Sequence, residues 1–79
     1  MEQKNYLERI THRPDVMGGK ACIRGLRVTV GMIVNQVGVG RSFEEILQDY
    51  PYLEREDILQ SLQYSAQLAE EREVMLAFG

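Results

Sequence analysis

Two apolar periods divide this chain. Ala21-Cys22-Ile23-Arg24-Gly25-Leu26-Arg27-Val28 alternates polar and apolar members around a glycine. That is strand patterning, and it predicts one or two short strands with a bend or bulge at Gly25. Beyond Thr29 the period lengthens to about 3.6. Val30, Ile33, Val34 and Val37 fall on one face of a helix that Thr29 is placed to cap and Gly38 or Gly40 to end. β-Branched residues are mediocre helix formers, so this helix must lean on packing.

A second helix is announced by Ser42-Phe43-Glu44-Glu45, a capping box in which the serine oxygen accepts the Glu45 N–H and the glutamate reaches back to the serine N–H. Phe43, Ile46, Leu47 and Tyr50 follow at helical spacing, and Pro51 halts the run. Leu53 and Ile58 then suit a hydrophobic staple around a cap at Glu54, while Glu56 and Asp57 favour the positive end of the helix dipole. Ile58, Leu59, Leu62, Ala66 and Ala69 carry the stripe onward, with Leu68 to one side. A helix continuing to about residue 77 spans on the order of 34 Å at ~1.5 Å per residue. A compact domain of this size has a radius of gyration of about 12 Å, so the helix end should project, or break near Glu70-Glu71-Arg72-Glu73. Upstream, Tyr6 to Thr11 forms a short segment closed by the turn signal His12-Arg13-Pro14-Asp15, and Gly18-Gly19 is a second punctuation.

With 79 residues the chain is one domain with a marginal core, for which association is a common source of extra stability. We divide it into a β element over 6–28, a three-helix bundle over 29–69 and a C-terminal extension over 70–79. Hydrophobic content of 44% argues against disorder of the whole chain. A single cysteine, Cys22, excludes an internal disulfide. No apolar run is long enough to span a membrane and the first residues are too polar for a signal peptide, so a soluble protein of the reducing cytoplasm is expected, with no membrane partner. The net charge of −3 conceals an asymmetry. Residues 1–41 carry seven Lys/Arg against three acids, a net +4, whereas residues 42–79 carry two arginines against nine acids, a net −7. The first half is suited to a polyanion; alternatively, the halves complement each other across a dimer.

The unit from Ser42 to about Ala66 has helix-turn-helix spacing, with Tyr50-Pro51-Tyr52-Leu53 as the turn. In DNA-reading versions the second helix opens with Arg, Lys, Asn or Gln against base edges. Here it opens with Glu54, Arg55, Glu56 and Asp57, and carboxylates repel phosphates. The motif therefore reads as architecture. The candidates for nucleic-acid contact are Arg13, Lys20, Arg24 and Arg27, at or near the strands; the competing reading makes them solvated residues, or partners of acids across a dimer. Gly18-Gly19-Lys20 lacks the rest of a phosphate-binding loop. His12 has no second soft ligand near it in sequence. Cys22 reads as a small core hydrophobe, and the pairs Glu44-Glu45, Glu56-Asp57 and Glu70-Glu71 as solvated helix faces. No catalytic set, metal site or cofactor is expected, nor a small-molecule substrate, and we expect no enzyme. The run Val74-Met75-Leu76-Ala77-Phe78 lies beyond a charged stretch with no evident partner inside so small a domain; an apolar segment of that kind usually marks contact with another chain, the alternative being that it folds back onto the domain's own core.

Ile10-Thr11, Val16-Met17-Gly18-Gly19-Lys20, Ile23-Arg24-Gly25-Leu26-Arg27-Val28, Ser42-Phe43-Glu44-Glu45-Ile46-Leu47, Tyr50-Pro51-Tyr52-Leu53 and Glu56-Asp57-Ile58 together resemble the domain-of-unknown-function 433 family over roughly residues 6–69. Ala21 and Leu26 replace a proline and a threonine of the family's usual G-K-P-x-I-x-G-T-R pattern. The resemblance implies a mostly α (α+β) fold: short N-terminal β-strands or a hairpin, then a three-helix, homeodomain-like helix-turn-helix bundle with a long last helix. It also implies a bacterial, VapB-type antitoxin role beside a small PIN-type nuclease toxin. On that reading the domain is a homodimer, its basic half touches operator DNA, and a toxin is covered by Leu68, Arg72, Val74, Met75, Leu76 and Phe78. Arg72 would enter the acidic nuclease site, since a guanidinium pairs bidentately with carboxylates. A stand-alone DNA-binding transcriptional regulator and a non-DNA-binding oligomerisation or adaptor module remain the alternatives, because fold does not fix function.

Overall fold

A computed structural model describes residues 7–77, with side chains through Glu71. Its elements, in chain order, are β1 (Ile10–Thr11), a short 3-10 turn (Met17–Gly19), β2 (Cys22–Ile23), and the helices α1 (Val30–Gly38), α2 (Phe43–Asp49) and α3 (Arg55–Ala77). The fold is the mostly helical α+β arrangement that the sequence predicts.

β1 and β2 pair antiparallel, with Ile10 opposite Ile23 and Thr11 opposite Cys22. On its other side Cys22 bridges Thr29, and Val30 N–H reaches Ala21 O at 2.9 Å. The segment 21–30 is therefore a hairpin lying against β1. Its turn closes with Leu26 N–H on Ile23 O at 2.7 Å, and both turn residues have positive φ, Arg24 at 47° and Gly25 at 72°. Gly25 takes that conformation without cost, as the bend expected there requires; Arg24 does not, and must be held.

Each helix starts where the sequence places its cap. The Thr29 hydroxyl accepts Met32 N–H at 3.0 Å while the Met32 sulfur accepts Thr29 N–H at 3.5 Å. Ser42 and Glu45 form the expected reciprocal pair at 3.1 and 2.9 Å. α1 ends with Val39 as its C-cap, and Gly40 follows at φ 96°, the glycine-assisted exit that the pattern suggests.

The core is drawn from the hairpin and all three helices: Ile23 and Val28 from the hairpin, Val30 and Ile33 from α1, Ile46 from α2, Leu53 from the turn before α3 and Ile58 from α3, with Ile10 of β1 partly buried against them. Val34, Val37, Phe43, Leu47 and Tyr50 pack around it, half-buried, so the predicted stripes of α1 and α2 face inward. α3 packs mainly on α1. It does not break at the charged stretch but continues as one helix through Ala77, and residues 66–71 are all exposed. Of the two outcomes expected for the helix end, projection is the one observed.

Candidate functional site

A cluster of hydrogen bonds joins the hairpin, the segment leading into β1 and the start of α3 around Asp57. Leu53 and Ile58, both buried, clamp the entry to α3 as the staple predicts. They fix Glu54 as the cap and turn Asp57, three positions on, inward. One Asp57 oxygen accepts Glu54 N–H at 2.8 Å, so the short acid at the third helical position caps the helix. Arg24 reaches both carboxylate oxygens, at 3.1 and 2.9 Å, in the forked geometry natural to a guanidinium. Arg9 adds a bond of 2.9 Å to Asp57 and one of 2.7 Å to Glu54. Arg24 also donates to Tyr52 O at 2.9 Å. These bonds hold Arg24 in its left-handed backbone conformation.

Asp57 is 0% exposed, which corrects its reading as part of a solvated helix face. Burial works against its charged form. The hydrogen bonds from Arg24, Glu54 N–H and Arg9 outweigh burial and hold its pKa below the ordinary carboxylate value. Conversely, the hydrogen bonds of Arg9 to Glu54 and then Asp57, and of Arg24 to Asp57, raise the pKa of each guanidinium. Below Asp57, Ser61 hydroxyl donates to Asp57 O at 2.8 Å, and Gln60 Oε1 accepts Arg9 N–H at 3.0 Å. Arg24 from the hairpin, Arg9 from beside β1 and the Glu54 N–H thus meet on one carboxylate of α3, and the cluster is a clasp that fixes the hairpin on α3.

The four candidate nucleic-acid contacts therefore have different fates. Arg24 is engaged in the clasp. Arg13 is exposed, 3.8 Å from Asp15, and its guanidinium lies beside Gly25 at the hairpin turn. Arg27 is exposed in the same turn region, while Lys20 is exposed at the hairpin's open end. The clasp thus engages one of the four candidates and leaves the other three exposed. At the start of α3, Glu54, Arg55 and Glu56 are exposed, and the Arg55 guanidinium lies 4.9 Å from the centre of the Phe43 ring. The cation at the base-reading position of a helix-turn-helix is thus stacked on α2 and flanked by acids.

Of the partner-contact candidates, Leu68 is 42% exposed. Arg72, Val74, Met75 and Leu76 fall on the helical backbone of α3, and Phe78 lies outside the described residues. His12 Nε2 lies 3.0 Å from the Tyr64 hydroxyl, and Cys22 is 1% exposed, so the histidine and the thiol are not set up as base and nucleophile. Among the described residues no group of three or more His, Cys, Asp and Glu could hold a metal ion, and no helix is long and apolar enough to cross a membrane.

Asp57 was legible as a cap-region acid, but nothing local in the sequence shows that it is buried. Its partners Arg9 and Arg24 stand 48 and 33 positions away.

A family model described as "Protein of unknown function (DUF433)" matches residues 10–65. An uncharacterized protein, y4eO, of Sinorhizobium fredii is 39% identical over 51 residues, covering 65% of this chain. The matched part is 23% of that relative's length. No solved structure matches the chain significantly.

Proposed function

The chain belongs to the DUF433 family, and from that premise we propose that it is the antitoxin-like component of a bacterial toxin–antitoxin pair, a binder and not an enzyme. The observation that carries the reading is the two-part character of α3. Its first turns are built into the core, whereas each of residues 66–71 is exposed, on a helix that continues to Ala77. A helix that continues past its buried turns offers a partner a preformed surface on which the exposed Leu68 is apolar, and Val74, Met75 and Leu76 follow it in sequence. The partner is a small PIN-type nuclease, whose acidic site Arg72 would meet. Arg13, Lys20 and Arg27 supply the cations for operator DNA, through phosphate contacts whose strength falls as salt rises.

Co-expression with the product of the adjacent gene, followed by affinity purification, tests this reading. Co-purification of a nuclease-like neighbour, lost on deletion of residues 70–79, is the expected result. A neighbour that does not associate overturns it. Operator binding by the chain alone, with no associating neighbour, would favour the stand-alone regulator instead, for which the exposed Arg13, Lys20 and Arg27 are the supporting observation.

A further inference from the structure

α1 is a surface helix without a charge. Between Arg27 and Arg41 no residue is ionisable, in a chain that is 27% charged. A helix with one face on the core ordinarily carries charged residues on the other. The outward face here consists of Gly31, Met32, Asn35 and Gly38, continued by the cap residue Val39. Met32 is 38% and Val39 67% exposed, two of the large hydrophobic residues left most open. A Cβ added at Gly38 would meet nothing within 4 Å, and one at Gly31 only the Thr29 hydroxyl at 3.9 Å. The glycines are therefore not required by packing inside the domain.

We propose that this face binds a second copy of the chain, α1 against α1 in antiparallel fashion about a twofold axis through Asn35. Two features select a second copy. First, the order of bulky and small residues is self-complementary: with Asn35 on the axis, Met32 of one copy faces Gly38 of the other and Val39 faces Gly31. Each bulky side chain enters the space that a glycine leaves, and the two Asn35 amides, each both donor and acceptor, meet at the centre. Second, the flanks are complementary in charge. The N-terminal end of α1 adjoins the hairpin with exposed Arg27, and its C-terminal end leads to α2 with exposed Glu44 and Glu45. Arg41, between α1 and α2, is tied to Gln36 and Asp49. Antiparallel packing sets the basic flank of each copy by the acidic flank of the other and opposes the helix dipoles, whereas parallel packing sets like on like.

A stable interface buries about 800 Å² per partner, more than a nine-residue helix face supplies, so the flanks must take part. The contact is independent of the projecting end of α3, and its failure leaves toxin binding by that end untouched.

Sedimentation of the full chain from about 1 to 100 µM is the test, with two variants. The wild type is expected to dimerise across this range. Asn35→Lys, exposed in a helix and harmless to the monomer, places two like charges on the axis and should weaken the dimer at least about tenfold with helix content unchanged. Asn35→Cys should form a disulfide-linked dimer under mild oxidation, with the buried Cys22 not competing. A wild type monomeric throughout overturns the proposal and leaves the face to a partner of other sequence. A dimer indifferent to Asn35→Lys, or an Asn35→Cys chain that does not cross-link, also overturns it.

Discussion

The first turns of α3 and its last ones belong to one unbroken helix but are held by different forces. Asp57, Ile58, Gln60 and Ser61 are buried, whereas every residue from Ala66 to Glu71 is exposed. Beside Gln60, the buried turns use isoleucine, aspartate and serine, indifferent helix formers that are positioned by the core and the clasp. The exposed turns use alanine, glutamine, leucine and glutamate, which favour helix on their own. One half is ordered by tertiary contact and the other by local propensity. Substitutions in the two halves should therefore report on different properties, the first on folding and the second on binding.

The largest effect is expected at Ile58, which is 0% exposed in the middle of the core. Ile58→Ala should cost about 4 kcal/mol, from lost burial plus the cavity left behind. A domain of this length has roughly 4–12 kcal/mol in all, so urea titration should show a much reduced midpoint or no cooperative transition. A loss below about 1 kcal/mol would mean that α3 is not anchored as described.

Next comes Asp57→Ala, which removes the common partner of Arg9 and Arg24 and the cap on Glu54 N–H. Breaking one side of a buried pair typically costs 3–5 kcal/mol. The Arg9 and Arg24 side chains are 25% and 38% exposed and recover hydration, so about 3 kcal/mol is the expected loss in urea unfolding. Proteolysis should then cut the hairpin, which the clasp ties to α3, sooner than α2.

The same carboxylate gives the comparison a pH signature. Its folded pKa lies below the ordinary value, so its contribution is fully present above the unfolded carboxylate pKa of about 4 and is lost as pH falls through the folded value. Urea midpoints of the wild type should fall on acidification below about pH 4, and Asp57→Asn should flatten that part of the curve. An unchanged acid limb in Asp57→Asn would assign the pH dependence to other carboxylates.

The contrast within α3 was only partly legible in the sequence. Capping residues and apolar periods work over three or four positions, so Thr29, Ser42, the Leu53–Ile58 staple and the inward faces of α1 and α2 could all be read locally. The clasp could not. Asp57 has the same sequence surroundings as the exposed Glu56, and what separates them is which side of α3 meets the hairpin. That depends on Arg9 and Arg24, which arrive from other elements. The nucleic-acid candidates were blurred for the same reason: Arg24, Arg27, Arg13 and Lys20 look alike in a charge pattern, but of the four only Arg24 lies where the Asp57 carboxylate can take it. In the exposed half of α3, length required the helix either to leave its domain or to break near Glu70-Glu71-Arg72-Glu73, and only the structure, with one helix through Ala77, decides between the two.

The smallest effect on folding, and the sharpest test of the division, is expected at Leu68. It is 42% exposed, and alanine is at least as good a helix former, so Leu68→Ala should move the urea midpoint by no more than about 0.5 kcal/mol equivalent. If the projecting turns carry the partner, the same substitution should reduce retention of the co-expressed nuclease, because burying a leucine side chain in an interface contributes roughly 1.5–3 kcal/mol. Loss of binding with folding intact would separate the two halves of α3 by function. A midpoint shift as large as that of Ile58→Ala would show instead that the exposed turns fold back onto the core.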